Sequence, residues 1–208
     1  MDTSDLTALT DRARTLAAGG GRRILGIAGA PGAGKSTLAA RLVEQLAGRA
    51  VLVPMDGFHL AGAELERLGR AGRKGAPDTF DAAGYAALLR RLRHPEGQDP
   101  VYAPAFDRAI EEPVAGSVRV PADVPLVVTE GNYLLLDEGP WALVRGLLDE
   151  VWFLDAVPAT RVRGLVDRHV RFGKSRPDAE RWVAGSDERN ARLVERHRDR
   201  ADLVVRLR

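Results

Sequence analysis

Short apolar runs alternate along the chain with stretches in which apolar residues recur at helical spacing. The runs end in glycine, proline or polar residues, a pattern typical of buried strands, whereas the intervening stretches are typical of amphipathic helices. Strands are predicted at residues 24–28, 51–53, 126–129, 151–154 and 202–207. The alternation predicts an α/β fold, a P-loop NTPase fold with a mostly parallel five-stranded sheet flanked by helices.

The helical pattern covers most of the chain between the strands. Helices are predicted at residues 6–16, 36–46, 82–92, 159–172 and 178–196, with Asp81 as the N-cap of the third. A passage rich in proline and glycine, residues 94–125, holds two short extended pieces at 101–103 and 117–120. We expect residues 1–208 to form a single domain that binds its ligand at the carboxyl ends of the strands.

Composition narrows the class of protein. The 208 residues are 45% hydrophobic and 29% charged, as in soluble globular proteins. The absence of cysteine excludes disulfides and thiolate metal sites. The net charge is only +2, and the arginines are interleaved with acidic residues, which argues against nucleic acid as a partner. An acidic start and the lack of a long apolar run predict a cytoplasmic protein with no membrane partner.

One octapeptide carries the strongest chemical signal. Residues 29–36 match the phosphate-loop pattern G-x-x-x-x-G-K-[ST], and they lie between a predicted strand and a predicted helix, as the motif requires. Backbone N–H groups and the helix dipole would bind phosphate there, with the lysine on the β- and γ-phosphates and the serine on Mg²⁺. The predicted nucleotide-binding residues are Gly29, Ala30, Pro31, Gly32, Ala33, Gly34, Lys35, Ser36 and Thr37.

Two acidic residues follow predicted strands and therefore belong to the same edge of the sheet. Asp56 could accept a proton from an attacking hydroxyl, hold a Mg²⁺-bound water, or simply occupy an Asp-Gly turn. Glu130 could order Mg²⁺ together with Ser36, or be only a polar strand end. His59 could contact substrate or make a structural hydrogen bond.

Several further polar residues are candidates for the substrate side. Asn132 and Tyr133 could reach substrate, although Tyr133 could equally belong to the core. Lys74, in the turn-rich segment 73–81, is either a solvated lysine or a cation near anionic ligands. Arg108 ends the segment 102–108, which we interpret as a loop with an aromatic residue and a fixed charge.

The predicted helix 159–172 is rich in arginine. Arg161 and Arg168 lie seven residues apart on nearly the same side, and Arg171 follows them. A guanidinium that closes over a transferring phosphoryl group stabilises its charge, so residues 159–176 could form a lid. The alternative from spacing alone is a charged outer face, and His169 is interpreted as a packing residue.

Together these segments resemble the phosphoribulokinase/uridine kinase-like P-loop kinases, which include bacterial type I pantothenate kinase. The resemblance rests on residues 29–37, 55–59, 73–81, 104–108 and 129–133. The segments Met-Asp-Gly-Phe-His and Glu-Gly-Asn-Tyr-Leu-Leu-Leu-Asp also resemble a bacterial subgroup labelled nucleoside/nucleotide kinase or fructose-transport kinase. The resemblance implies Asp56 as general base, Glu130 near Mg²⁺, and an arginine-bearing lid helix.

The expected function is therefore an ATP- and Mg²⁺-dependent kinase that phosphorylates a hydroxyl of a small molecule such as a nucleoside, sugar or pantothenate-like acceptor. Asp56, Lys35 and Arg168 are the predicted catalytic residues, and Arg168 is also assigned to the nucleotide. The predicted substrate contacts are Asp56, His59, Lys74, Arg108, Glu130, Asn132 and Tyr133, with Ser36 and Glu130 as metal ligands. A regulatory P-loop NTPase without an acceptor is the alternative, and a homodimer is possible in either case.

Overall fold

The main sheet of the described residues has six strands, all parallel. The computed structural model describes residues 2–3, 5–94 and 97–206. The strands of this sheet are β1 (Asp2–Thr3), β2 (Arg23–Ala28), β3 (Ala50–Pro54), β6 (Leu126–Gly131), β7 (Glu150–Asp155) and β8 (Leu203–Arg206), and their order across the sheet is β1-β8-β7-β2-β6-β3. Five of them are the predicted strands, which confirms the α/β fold; Leu207, included in the last prediction, lies outside the described residues.

Helices cover both faces of this sheet and mostly agree with the predicted spans. They are α1 (Leu6–Ala17), α2 (Lys35–Gln45), α3 (Gly62–Arg67), α4 (Ala82–Arg93), α5 (Pro158–Arg171), α6 (Arg176–Trp182) and α7 (Glu188–Glu195). Asp81 caps α4 as predicted, its carboxylate accepting from the Gly84 amide at 2.8 Å. The predicted helix 178–196 is confirmed as an unbroken helical run over residues 176–195, but it is not a regular α-helix, because a π-helical turn at Val183–Asp187 joins α6 to α7.

A separate antiparallel hairpin lies beside the main sheet. It consists of β4 (Val101–Asp107) and β5 (Glu112–Val120), so the segment predicted as a loop at 102–108 is mostly strand. The hairpin packs closely on the turn after β3. A Cβ at Gly57 would lie 2.4 Å from the Pro104 carbonyl oxygen, so only glycine allows this approach.

Each face of the sheet buries its own apolar core. On one face α4 and the segment 133–148 cover alternate strand residues, including Ile24, Val127 and Phe153. On the other face α1 and α2 cover Leu25, Ile27, Val128 and Trp152. Burial on both faces explains the nearly continuous apolar runs of the parallel strands. Within the described ranges, no helix has both the length and the apolarity to cross a membrane.

A buried polar chain joins the two strands that lead to Asp56 and Glu130. The Thr129 hydroxyl, on β6, lies 2.6 Å from the carbonyl oxygen of Val53, on β3, and donates to it. The Tyr85 hydroxyl of α4 lies 2.6 Å from the same Thr129 oxygen. Because the Thr129 proton is committed to the carbonyl, Tyr85 must be the donor to Thr129. Thr129 therefore links both strands to α4.

We expect Thr129→Val to destabilise the protein more than Tyr85→Phe. The valine leaves the buried Tyr85 hydroxyl without its acceptor and removes the bond to Val53, at a cost of about 1–3 kcal/mol. The phenylalanine removes one hydrogen bond and leaves the strand link intact, at about 1 kcal/mol. Chemical denaturation of both variants measures the difference. An equal or larger loss for Tyr85→Phe would contradict the central place of Thr129.

Candidate active site

A cleft of about 720 Å³ lies at the carboxyl ends of β2, β3 and β6. The loop after β2, the turn after β3 and the end of β6 form its floor, while α5 and the π turn form one wall. The predicted site residues that line it are Pro31, Gly32, Gly34, Lys35, Ser36, Thr37, Asp56, His59, Lys74, Arg108, Glu130, Asn132 and Arg168. The topology thus brings together segments that lie far apart in sequence, as parallel α/β sheets do.

The loop 29–36 has the backbone conformation that its glycines permit. Gly34 has φ +91° and forms the N-cap of α2, and Gly32 has φ +77°. A Cβ at Gly32 would lie 2.6 Å from Leu165 Cγ of α5, and one at Gly29 would lie 2.7 Å from the Leu154 carbonyl oxygen. Gly29, Ala30 and Ala33 do not line the cleft, and their predicted contact with nucleotide stays a prediction.

Lys35 presents its ammonium group at the bottom of the cleft. It is 7% exposed, and it donates to Asn132 Oδ1 at 2.7 Å and to the Ala30 carbonyl at 3.0 Å. Burial lowers the pKa of Lys35 to about 8, although the nearby carboxylates of Glu130 and Asp56 oppose the shift. Asn132 therefore contacts the lysine that is predicted to bind phosphate.

Ser36 and Glu130 form the candidate metal site. The Ser36 hydroxyl donates to Glu130 Oε1 at 2.9 Å, and burial raises the pKa of Glu130. A hydroxyl and a carboxylate are hard oxygen donors, and a bound cation would offset the burial of the carboxylate charge. Among the described residues no cluster of three or more His, Asp or Glu side chains could hold a metal, so most ligands would be waters and phosphate oxygens.

Asp56 lies near both the candidate metal site and the β4–β5 hairpin. It follows β3 in a short 3₁₀ turn, Met55–Phe58, and its carboxylate acts electrostatically on both Lys35 and Glu130. Arg108, directly after β4, donates to Asp56 Oδ2 at 3.2 Å. The hairpin therefore supplies the cation that accompanies this carboxylate.

His59 has a defined tautomer. Its Nδ1 lies 2.8 Å from the Asp56 carbonyl oxygen, which can only accept, so Nδ1 carries the proton and Nε2 is an acceptor. Burial lowers the pKa of His59, and the charges of Lys74 and Arg108 lower it further against the effect of Asp56. The ring lies 3.9 Å from that of Phe80 and 4.8 Å from that of Phe106, centroid to centroid. His59 is thus a neutral hydrogen-bonding group in an aromatic wall.

The three candidate arginines of α5 have different environments. Arg161 is 6% exposed, forms an ion pair with Glu188, and donates to the Pro31 carbonyl at 3.2 Å. Arg161 therefore stabilises the phosphate loop through its hydrogen bond to the Pro31 backbone. Arg171 is exposed and does not line the cleft. Arg168 lines the cleft, where burial and the neighbouring charge of Arg108 lower its pKa.

Tyr133 does not fit the predicted contact with substrate. Its side chain is 0% exposed, and its ring packs against Phe80 and Trp141. Its hydroxyl donates to the Gly75 carbonyl, and burial raises its pKa. Tyr133 is therefore a core residue, and its hydrogen bond to Gly75 fixes the backbone beside Lys74.

Sequence reasoning missed a group of residues at the π turn. His169, interpreted as packing, lines the cleft and lies with Nε2 2.9 Å from Asp187 Oδ2. Asn190 also lines the cleft and donates to the Gly75 carbonyl at 3.2 Å. A regular α-helix without the π turn would have given these residues other neighbours. The sequence carries no signal for the extra residue of a π turn.

Known proteins resemble the chain over 69–98% of its length. A Schizosaccharomyces pombe protein named "Putative uridine kinase C227.14" is 33% identical over 98% of this chain and 91% of its own length. The chain belongs to the P-loop kinase family related to uridine and pantothenate kinases. No protein-family model matches it.

Two further relatives extend this membership in the ATP-dependent P-loop kinases. The "ATP-dependent kinase-like protein notR'" of Aspergillus versicolor is 35% identical over 69% of this chain and 88% of its own length. The crystal structure of a "putative fructose transport system kinase" from Silicibacter sp. TM1040 has a TM-score of 0.87 and 36% identity, covering 97% of this chain and 99% of the other. The family thus spans relatives whose names differ in acceptor.

The pKa of Lys35 predicts how ATP affinity depends on pH. Phosphate oxygens favour the protonated ammonium, so ATP raises this pKa above the value of about 8 in the free protein. Affinity should be constant below pH 8 and fall as the pH rises through it, with a proton taken up on binding. Calorimetry in buffers of different ionisation enthalpy measures that uptake. Lys174→Met, which removes an exposed lysine of the cleft rim, should leave the pH dependence in place.

Proposed function

We propose that the protein is an ATP- and Mg²⁺-dependent kinase that transfers the γ-phosphate of ATP to a hydroxyl of a small metabolite. The observation that carries this proposal is the position of Asp56 in one continuous cleft. The charge of Asp56 acts on Lys35 and Glu130, and Glu130 is bonded to Ser36. Asp56 also pairs with Arg108 and accepts from His59, and Lys74 lines the same cleft beside Phe106. A cleft with a phosphate end, a second group of polar residues and a carboxylate that interacts with both suits transfer to an acceptor.

In the proposed reaction the residues of the cleft position the reacting groups and neutralise the charge of the phosphates. Lys35 and the amides of the phosphate loop bind the β- and γ-phosphates, and Ser36 and Glu130 would hold Mg²⁺, which neutralises phosphate charge when bound. The acceptor oxygen forms a bond to the γ-phosphorus, the bond to the ADP oxygen breaks, and Asp56 takes the hydroxyl proton. Arg168 stabilises the charge on the transferring group.

We expect Asp56→Asn to keep ATP binding and to lower kcat by about 10²–10⁴-fold, because the amide cannot accept the proton. Asp107→Asn is the matched control: Asp107 ends the strand that precedes Arg108, it is exposed, and it does not line the cleft. Steady-state kinetics and ATP titration of both variants give the measurement. Turnover at the wild-type rate by Asp56→Asn would remove Asp56 from the role of base.

Replacement of the α5 arginines should separate the lid role from general surface charge. Arg168→Gln removes the guanidinium that faces the cleft, and we expect a loss in kcat of about 10²–10³-fold, typical of a lost transition-state donor. Arg171→Gln removes the same charge one helical turn later on an exposed position and should leave kcat near that of the wild type. Equal effects of the two substitutions would contradict the assignment.

The alternative, a regulatory NTPase, is tested in the wild-type protein. Phosphate from labelled ATP should appear on a small acceptor. Hydrolysis that no acceptor changes, and that a protein partner stimulates, would favour the regulatory NTPase and overturn the kinase proposal.

A further inference from the structure

The end of the cleft that holds His59, Lys74 and Arg108, here called the acceptor end, contains a lysine that no acidic side chain of the described residues neutralises. Lys74 Nζ donates to the backbone carbonyl of Glu111 at 2.5 Å and lies 5.1 Å from the centre of the Phe106 ring. No carboxylate in the described parts of the chain forms an ion pair with it. A carbonyl oxygen and a ring face carry no formal charge, so neither of these neighbours offsets the charge of the ammonium group.

Arg108 adds a second cation on the same aromatic ring. Its Cζ lies 5.7 Å from the centre of the Phe106 ring, and one of its nitrogens contacts Asp56 at 3.2 Å. Lys74 and Arg108 therefore both border the Phe106 ring, and Arg108 contacts the proposed base. Lysine and arginine in such an arrangement bind carboxylates and phosphates, the arginine as a fork and the lysine as a point charge.

The backbone beside Lys74 is held in place from three sides. The Gly75 carbonyl accepts from the Tyr133 hydroxyl and from Asn190 Nδ2, the latter at 3.2 Å. The Gly75 amide donates to Thr79 Oγ1 at 3.0 Å, and Gly75 has φ +98°, which favours glycine. A cation on a fixed backbone loses little entropy when a ligand binds, so Lys74 is preorganised.

The other carboxylates near this end do not cancel these charges. Asp187 lies 2.9 Å from His169 on the opposite wall. Glu111 is an exposed residue between the hairpin strands and offers Lys74 its carbonyl rather than its carboxylate. A neutral polyol or nucleoside would leave the Lys74 charge unmatched, whereas an anionic group would pair with it.

We propose that the acceptor is an anionic hydroxy compound whose carboxylate or phosphate binds between Lys74 and Arg108 while its hydroxyl faces Asp56. This inference rests on the proposed kinase function and defines the substrate class of the same cleft. His59 adds a site that can accept a hydrogen bond from a second hydroxyl, because no residue in the described ranges of the chain forms a hydrogen bond with its Nε2.

The test separates acceptors by charge before the reaction. The small-molecule fraction of a cell extract is divided on an anion-exchange column into neutral and anionic pools, and each is incubated with the full-length protein, Mg²⁺ and γ-labelled ATP. We expect the label to move to a compound in the anionic pool. Prior treatment of that pool with alkaline phosphatase abolishes labelling if the anion is a phosphate ester and preserves it if the anion is a carboxylate.

Each result of this test distinguishes the inference from the function on which it rests. Label on a compound from the neutral pool alone would overturn the anionic acceptor and leave the kinase proposal standing. Label on no compound from either pool, with ATP consumed, would overturn the kinase proposal and the inference with it.

Substitutions of Lys74 and of its neighbour Arg73 then test the role of Lys74 in binding the acceptor. With the labelled acceptor, Lys74→Met should raise the acceptor KM by about 10–100-fold, as expected for loss of a charged hydrogen bond, and leave the ATP KM unchanged. Lys74→Arg should restore most of the affinity. Arg73→Met is the matched control, because Arg73 pairs with Asp78 at 2.6 Å and does not line this cleft. An unchanged acceptor KM in Lys74→Met would overturn the role of Lys74.

Discussion

Two opposite charges buried at one end of the sheet constrain the arrangement of the whole site. Lys35 and Glu130 are both almost inaccessible to solvent, and a buried charge is tolerated only with polar partners. Asn132, two residues after Glu130, accepts a hydrogen bond from Lys35, and Ser36, directly after Lys35, donates one to Glu130. Each charged side chain is therefore bonded to a close sequence neighbour of the other. The strands set this geometry, because β6 pairs with β2 and β3 in a register that places Glu130 opposite Ile27 and Pro54.

The position of Lys74 depends on an aromatic cluster, two of whose members, Phe80 and His59, line the cleft. The Trp141 indole donates to the Pro77 carbonyl at 3.1 Å, and the Tyr133 hydroxyl donates to the Gly75 carbonyl. Both rings pack on Phe80, which in turn packs on His59. The cluster therefore converts the turn-rich segment 73–81 into a fixed surface, and this rigidity gives Lys74 a defined position.

The sequence predicts those parts of the protein that depend on local pattern. Buried parallel strands appear as apolar runs, and the phosphate loop has its own signature, so Asp56 and Glu130 could be placed by counting to the ends of strands. Tyr133 and Arg161 could not be assigned, because both are decided by partners far away in sequence, Gly75 for the tyrosine and Glu188 for the arginine. The π turn was also missed, since one extra residue leaves the helical pattern on either side intact.

The π turn and the start of α7 together contact α5 and the turn-rich segment 73–81. Glu188 forms an ion pair with Arg161, and Arg161 also donates a hydrogen bond to the Pro31 carbonyl of the phosphate loop. Asn190 donates to the Gly75 carbonyl in the turn-rich segment 73–81. Asp187, one residue earlier, contacts His169 on α5. Three positions of the segment 187–190, namely Asp187, Glu188 and Asn190, thus contact two residues of α5 and the backbone beside Lys74, and they reach the phosphate loop through Arg161. A change in the orientation of α5 must therefore alter contacts at both ends of the cleft, because one short segment joins them.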